Sequence, residues 1–182
     1  DLQTLEKTVK RAGEIFAFCD ENKKEGYYAD GSYLFHEHHA MNAAYGLEQL
    51  WSAAFLIKIL HGTPFAFEHR QEQTAVSWLL DGQAPFVFNR GFMRCVMGRY
   101  PDGGKIGRER LLCAAADLWD ICDDEQKKEV TSLVAELTDG GDEYEKNISP
   151  LRCEAIRRIK KNNACAASYD MVFAHIDRIV HK

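Results

Sequence analysis

At 182 residues, 46% hydrophobic and 11% aromatic, the chain can bury one sizeable core and falls in the ordinary globular class. A net charge of −5 excludes a global field for holding nucleic acid or any other polyanion, so an acidic ligand would have to be drawn by a local patch. No apolar run reaches the roughly 18 residues needed to span a bilayer, and the six cysteines contain no C-x-x-C pair, so a membrane anchor, zinc ribbon or redox motif is unsupported.

Leu2, Leu5, Val9, Ala12, Phe16 and Cys19 recur at steps of three and four, the stripe of an amphipathic helix that opens the chain. Because that pattern starts at once and without an initiator Met, an excised or processed segment is expected. Residues 20–31 are polar with two glycines and read as a loop. Residues 40–60 form a long helix, apolar on nearly every side and so expected to be covered on both faces, until Gly62-Thr63-Pro64 stops it. A shorter helix follows over 68–80. Residues 81–107, with Pro85, Pro101 and several glycines, form a connection too irregular for a plain linker, and long loops inside compact domains are disproportionately functional. Within it and just beyond, Arg90, Arg94, Arg99, Lys105, Arg108 and Arg110 face only Asp102 and Glu109, a net +4 patch. Residues 108–122 and 125–137 read as a helix pair and 138–147 as a solvated turn. Ser149-Pro150 caps a helix that runs to about 161. From 171 to 180 a β-branched alternation predicts a strand. The expected class is therefore all-α, with a possible strand at the C-terminus.

The chemistry concentrates in the segment 30–46, DGSYLFHEHHAMNAAYG, where three histidines and a tyrosine crowd the entry to an apolar helix. Nine residues along one α-helix turn about 900°, which puts His36 and Tyr45 on opposite faces. Both reach one cleft only if His36 sits in a loop before the helix. A rival set is His38, Asn42 and Tyr45, which share one face if the helix begins early. His36, Glu37 and His38 would also suit a metal-dependent hydrolase, but no second cluster supplies the remaining ligands, so no metal is expected. Trp51, Trp78 and Trp119 sit in apolar helical patterns and read as core.

The run D-G-S-aromatic-x-x-H, followed nine residues later by Y-G, resembles the catalytic stretch of the hyaluronate, chondroitin AC and xanthan lyase family. Phe88-Asn89 with Arg94 and Arg99 resembles that family's arginine segment, and MVFAHIDRIVHK at 171–182 resembles its MDR-x-VHR segment. The resemblance implies an incomplete (α/α) toroid of helical hairpins, with residues 1–168 as its later part and 169–182 leading into a β-sandwich domain absent from the chain. It implies a polysaccharide lyase acting by β-elimination on acidic, uronate-containing polymers, without cofactor, in an extracellular or periplasmic setting.

On that reading Tyr45 is the base, His36 neutralises or orients the uronate, and Arg94 with Arg99 binds acid groups and supports the phenolate. Arg90, Asn89, His38 and Asn42 are the expected substrate contacts, while Arg178 and His181 are structural. The family arginines stand four apart and these stand five apart, so either a residue is inserted or Arg90 replaces one partner. The family's catalytic asparagine lies further upstream than this chain reaches; neither Asn22 nor Asn42 matches it, and the chain alone is expected to be a poor catalyst. A non-catalytic helical carbohydrate-binding or scaffolding domain is the alternative.

Overall fold

A computed structural model describes residues 1–20, 24–98, 104–162, 164 and 168–182. Arg99, Asn22 and Cys165 lie outside the described residues. Among the described residues six α-helices form the body: α1 Leu2–Gly13, α2 Leu47–Leu60, α3 His69–Leu80, α4 Gly104–Leu118, α5 Asp124–Thr138 and α6 Pro150–Lys160. Their starts follow from capping chemistry. The Asp1 carboxylate accepts from the Thr4 amide, and Glu68 with Gln71 and Asp123 with Gln126 form capping boxes that satisfy orphan amides at both ends of the box. Ser149 occupies the N-cap of α6 with Pro150 at the first helical position, although the serine side chain makes no capping hydrogen bond.

Helix α4 is central and packs on α2, α3, α5 and α6. Leu111, Leu112, Ala114, Ala115 and Leu118 are fully buried there, against Leu50, Ala53, Ala54 and Ile57 of α2. Neighbours do not cover α2 on every side as expected, since Phe55 and Ile59 are about half exposed. Arg152 of α6 grips Asp117 of α4 through Nε at 3.0 Å and Nη2 at 2.5 Å. Asp117 is almost wholly buried, so this pair supplies the partner its charge requires.

Three expectations change in detail. Helix α1 stops at Gly13, because Phe16 turns inward to lie on Phe67 and Trp78 with ring centroids 4.9 and 5.7 Å apart. The chain is mostly helical rather than all-α: β1 Gly26–Tyr27, β2 Tyr33–Phe35 and β3 His39–Ala40 form an antiparallel three-stranded sheet, and β4 Val87–Phe88 pairs with β5 Gly91–Phe92. The single strand expected over 171–180 is a hairpin, β6 Asp170–Phe173 and β7 Arg178–His181, reversed at Asp177 with φ of 51°. This hairpin docks on the helical body. Phe173 packs on Phe86 at 4.4 Å, Lys182 Nζ donates to the Val87 carbonyl at 2.8 Å, and His175 stacks on Tyr28 at 4.0 Å.

Candidate active site

The D-G-S triplet is a turn that launches β2. Asp30 accepts from the Ser32 amide at 2.9 Å, and Gly31 adopts φ of 83° with its Cα so close to Asp81 that an added Cβ would lie 2.4 Å from the Asp81 carbonyl oxygen. Only glycine satisfies both the left-handed backbone and that approach. At the other end of the segment, a Cβ on Gly46 would meet the Tyr33 ring at 2.9 Å, so the glycine after Tyr45 lets the helix entry press against β2.

Between these two turns lies a buried polar knot. Asn42, with no exposed surface, donates to the carbonyls of Gly31 at 2.8 Å and Gly82 at 2.7 Å and accepts from the Tyr33 amide at 3.2 Å. Gln83 donates to the Asn42 carbonyl at 2.9 Å and to the Tyr27 hydroxyl at 2.5 Å, and Tyr27 donates to the Gly46 carbonyl at 2.9 Å. Burial pushes the Tyr27 phenol up strongly and the Tyr33 phenol to about 12, so both stay neutral at ordinary pH. The knot holds residues Asn42–Gly46 in a wide, π-helical turn ahead of α2, a feature that recurs at functional sites. Asn42 therefore has its amide consumed inside the protein, which corrects the expectation that it contacts substrate.

Tyr45 projects from that turn and is half-buried, its ring stacked on Phe35 with centroids 4.0 Å apart. His36 sits beyond the end of β2, in the three-residue turn to β3, with its ring 4.3 Å from the same Phe35. The hairpin thus resolves the spacing problem: His36 lies before the helix, and the imidazole and phenol meet one aromatic plate. The rival set does not form, because residues 33–40 make a hairpin instead of an early helix turn. His38 is exposed and its Nε2 lies 3.7 Å from the Glu37 carboxylate, facing a cleft of about 380 Å³ lined also by residues 174–177.

The turn is backbone-strained, with φ of 50° at His36 and 65° at Glu37, neither of them glycine. The His36 amide donates to the Glu25 carboxylate at 3.0 Å. Sequence reasoning missed Glu25, Tyr27 and Gln83; no pattern marks them, since their partners are distant or are backbone groups.

Arg94 opens a short helical turn, Arg94–Val96, that packs beside the π-helical turn of Tyr45, and Gly98 lies against the Met41 side chain. The Arg94 side chain is exposed and has no ion-pair partner among the described residues. Arg94 thus lies on a turn that packs against residues 42–46, while Arg99 lies outside the described residues. Asn89 and Arg90 form the two-residue tip of the β4–β5 hairpin, both with positive φ, and Arg90 Nη1 donates to the Asp139 carbonyl at 3.3 Å. No described contact joins that tip to His36 or Tyr45. Arg110 pairs with Glu48 and lies over Trp51 at 5.2 Å, a packing role. No group of three His, Cys, Asp or Glu among the described residues is arranged to hold a metal ion.

A phenol and an imidazole against one aromatic ring, with an exposed arginine on a neighbouring turn, are the residue types that suit proton abstraction next to an anionic group, where a base, an orienting group and a cation are needed together. The chain is 24% identical over 160 residues to a hyaluronate lyase of Staphylococcus aureus (strain NCTC 8325 / PS 47), covering 81% of this chain and 19% of that protein. It is 33% identical over 75 residues to a hyaluronate lyase of Thermasporomyces composti, 41% of this chain and 10% of that protein. Among solved structures, a Paenibacillus xanthan lyase superposes over 100% of the chain with a TM-score of 0.85 at 20% identity, covering 18% of its own length. The Streptomyces coelicolor A3 chondroitin AC lyase, solved in complex with chondroitin sulphate, covers 97% with a TM-score of 0.76 at 19% identity and 26% of its own length. The chain thus spans a fifth or less of the curated relatives it matches. Residues 1–148 match the family described as polysaccharide lyase family 8, N terminal alpha-helical domain, and the chain belongs to that family.

Proposed function

We propose that the full-length protein carrying this chain cleaves uronate-containing polysaccharides of the hyaluronan, chondroitin or xanthan type by β-elimination, and that this chain supplies its base. The observation that carries the reading is the meeting of His36 and Tyr45 on Phe35, from turns built by the D-G-S and Y-G motifs. The C5 proton of the uronate passes to the Tyr45 phenolate, the C5 electron pair forms the C4–C5 double bond, and the C4–O bond breaks. Tyr45 then returns the proton to the leaving oxygen. A phenol needs a neighbouring cation to serve as a base; Arg94, on the turn that packs beside residues 42–46, is the proposed cation, with Arg99 as its expected companion. His36 orients the uronate carboxylate, and Asn89, Arg90 and His38 extend the contacts along the polymer.

On this reading residues 1–168 belong to the later part of an incomplete (α/α) toroid and the C-terminal hairpin leads into a β domain; the similarity in fold to a xanthan lyase and a chondroitin AC lyase supports the helical part. A polymer of this class implies an extracellular or periplasmic setting. The test is ultraviolet absorbance of the unsaturated uronate when the full-length protein meets hyaluronan, chondroitin and xanthan in turn, beside a folded Tyr45→Phe variant. Product from the parent and none from the variant is expected. Silence of the folded parent on every polymer overturns the reading in favour of a non-catalytic carbohydrate-binding domain.

A further inference from the structure

The backbone of His36 has little reason of its own to stay where it is. Two successive non-glycine residues in the left-handed region, His36 at 50° and Glu37 at 65°, cost roughly 1 kcal/mol or more each unless neighbouring structure holds them. Within the three-residue turn the hairpin supplies the His38 amide to the His36 carbonyl at 2.8 Å and the Phe35–His39 pairing at its base. From outside the hairpin the His36 amide donates to Glu25 Oε1 at 3.0 Å, and a bond to an ionised acceptor is stronger than one between neutral groups.

Glu25 is itself held from both sides. The Cys19 thiol donates to the Glu25 carbonyl at 3.3 Å, and the hydroxyl of buried Tyr28 accepts from the Lys24 amide at 3.0 Å and donates to the Lys24 carbonyl at 2.9 Å. Gly26, next in the chain, pairs with Leu34 of β2, only two residues before His36. The carboxylate thus reaches the turn from the residue just before β1, on a backbone fixed by three hydrogen bonds and a strand pairing.

We infer that Glu25 is a positioning residue for His36, its carboxylate anchoring the strained turn so that the imidazole keeps its place against Phe35, the ring on which Tyr45 also stacks. The inference rests on the lyase reading above. Glu25 touches no reacting atom; it acts through the main chain of His36. Removing the anchor lets the turn relax to other backbone conformations, and misplacement of a reacting group by about 1 Å can cost up to a hundredfold in rate.

The experiment uses the full-length protein and the polysaccharide it cleaves, with wild type, Tyr45→Phe, Glu25→Ala and Glu25→Gln compared by circular dichroism and steady-state kinetics. Glu25→Ala is expected to fold, to lose about tenfold or more in kcat and to keep KM within about twofold. Glu25→Gln keeps an oxygen acceptor at the same reach and is expected to recover most of the lost rate. The proposal is overturned if Glu25→Ala keeps wild-type kcat, if its loss lies in KM alone, or if Glu25→Gln is as slow as Glu25→Ala. Product from Tyr45→Phe overturns the assignment of Tyr45 as base, and absence of product from the folded wild type overturns the lyase reading itself, so each failure is distinguishable from that of Glu25.

Discussion

Phe35 and Tyr45 stack with ring centroids 4.0 Å apart and planes 25° from parallel, and the Phe35 ring also receives His36 edge-on at 63°. Phe35 is only partly buried, so its value to the fold is modest, whereas its value to the site is that it sets both rings. Phe35→Ala is expected to cost about 1 to 2 kcal/mol in stability and about tenfold or more in kcat. Denaturant titration beside steady-state kinetics checks the split; equal losses in a distant control of matched stability would argue against a specific role.

Asn42 carries the opposite signature. Its substitution by Ala strands two carbonyls and an amide in a site without solvent, and each buried group left unsatisfied costs about 1 to 3 kcal/mol. Asn42→Ala is therefore expected to lower the unfolding free energy by about 3 kcal/mol or more. A variant that keeps wild-type stability and shows only a raised KM would restore the substrate contact that its burial argues against.

Helix positions and the His36–Tyr45 relationship were legible because both rest on short-range rules. Periodicity, capping residues and stop signals are local, and helix geometry allowed His36 to share a cleft with Tyr45 only from a loop before the helix, leaving His38 as the rival that the family resemblance disfavoured. The Asn42 knot was illegible because its partners, Gly31 and Gly82, are backbone carbonyls 11 and 40 residues away. The C-terminal hairpin was misread as one strand because no glycine or proline marks its reversal, which falls on Asp177 in the left-handed region. Glu25 in a polar loop looked like any solvated charge; only the folded hairpin brings the His36 amide to it.

Asp30 ties the same motif to the C-terminus, with Oδ2 2.9 Å from His175 Nδ1. Burial pushes its carboxyl up, but hydrogen bonds from the His175 ring and the Ser32 amide outweigh that and hold it below the usual 3.8. A carboxyl depressed in the folded state contributes stability that is present above its unfolded value and is lost as pH falls through the folded one. Asp30→Asn is expected to be less stable than wild type near neutral pH, with the gap narrowing as the pH drops below about 4. Urea midpoints measured across that range test it, and a gap independent of pH would mean that the Asp30 charge contributes nothing.

Arg90 offers a way to separate fold from binding at the second candidate turn. A two-residue loop with φ of 51° at Asn89 and 68° at Arg90 has the backbone that Asn-Gly adopts most readily. Arg90→Gly relieves left-handed strain worth roughly 1 kcal/mol and gives up one exposed hydrogen bond to the Asp139 carbonyl at the end of α5, worth about the same. Stability is expected to change by less than about 1 kcal/mol. If the remaining guanidinium donors bind acid groups of the polymer, KM in the full-length protein rises several-fold and its dependence on salt weakens, with kcat little changed. An unmoved KM, with stability preserved, would leave Arg90 as a brace for α5 and assign charge recognition to Arg94 and its neighbours.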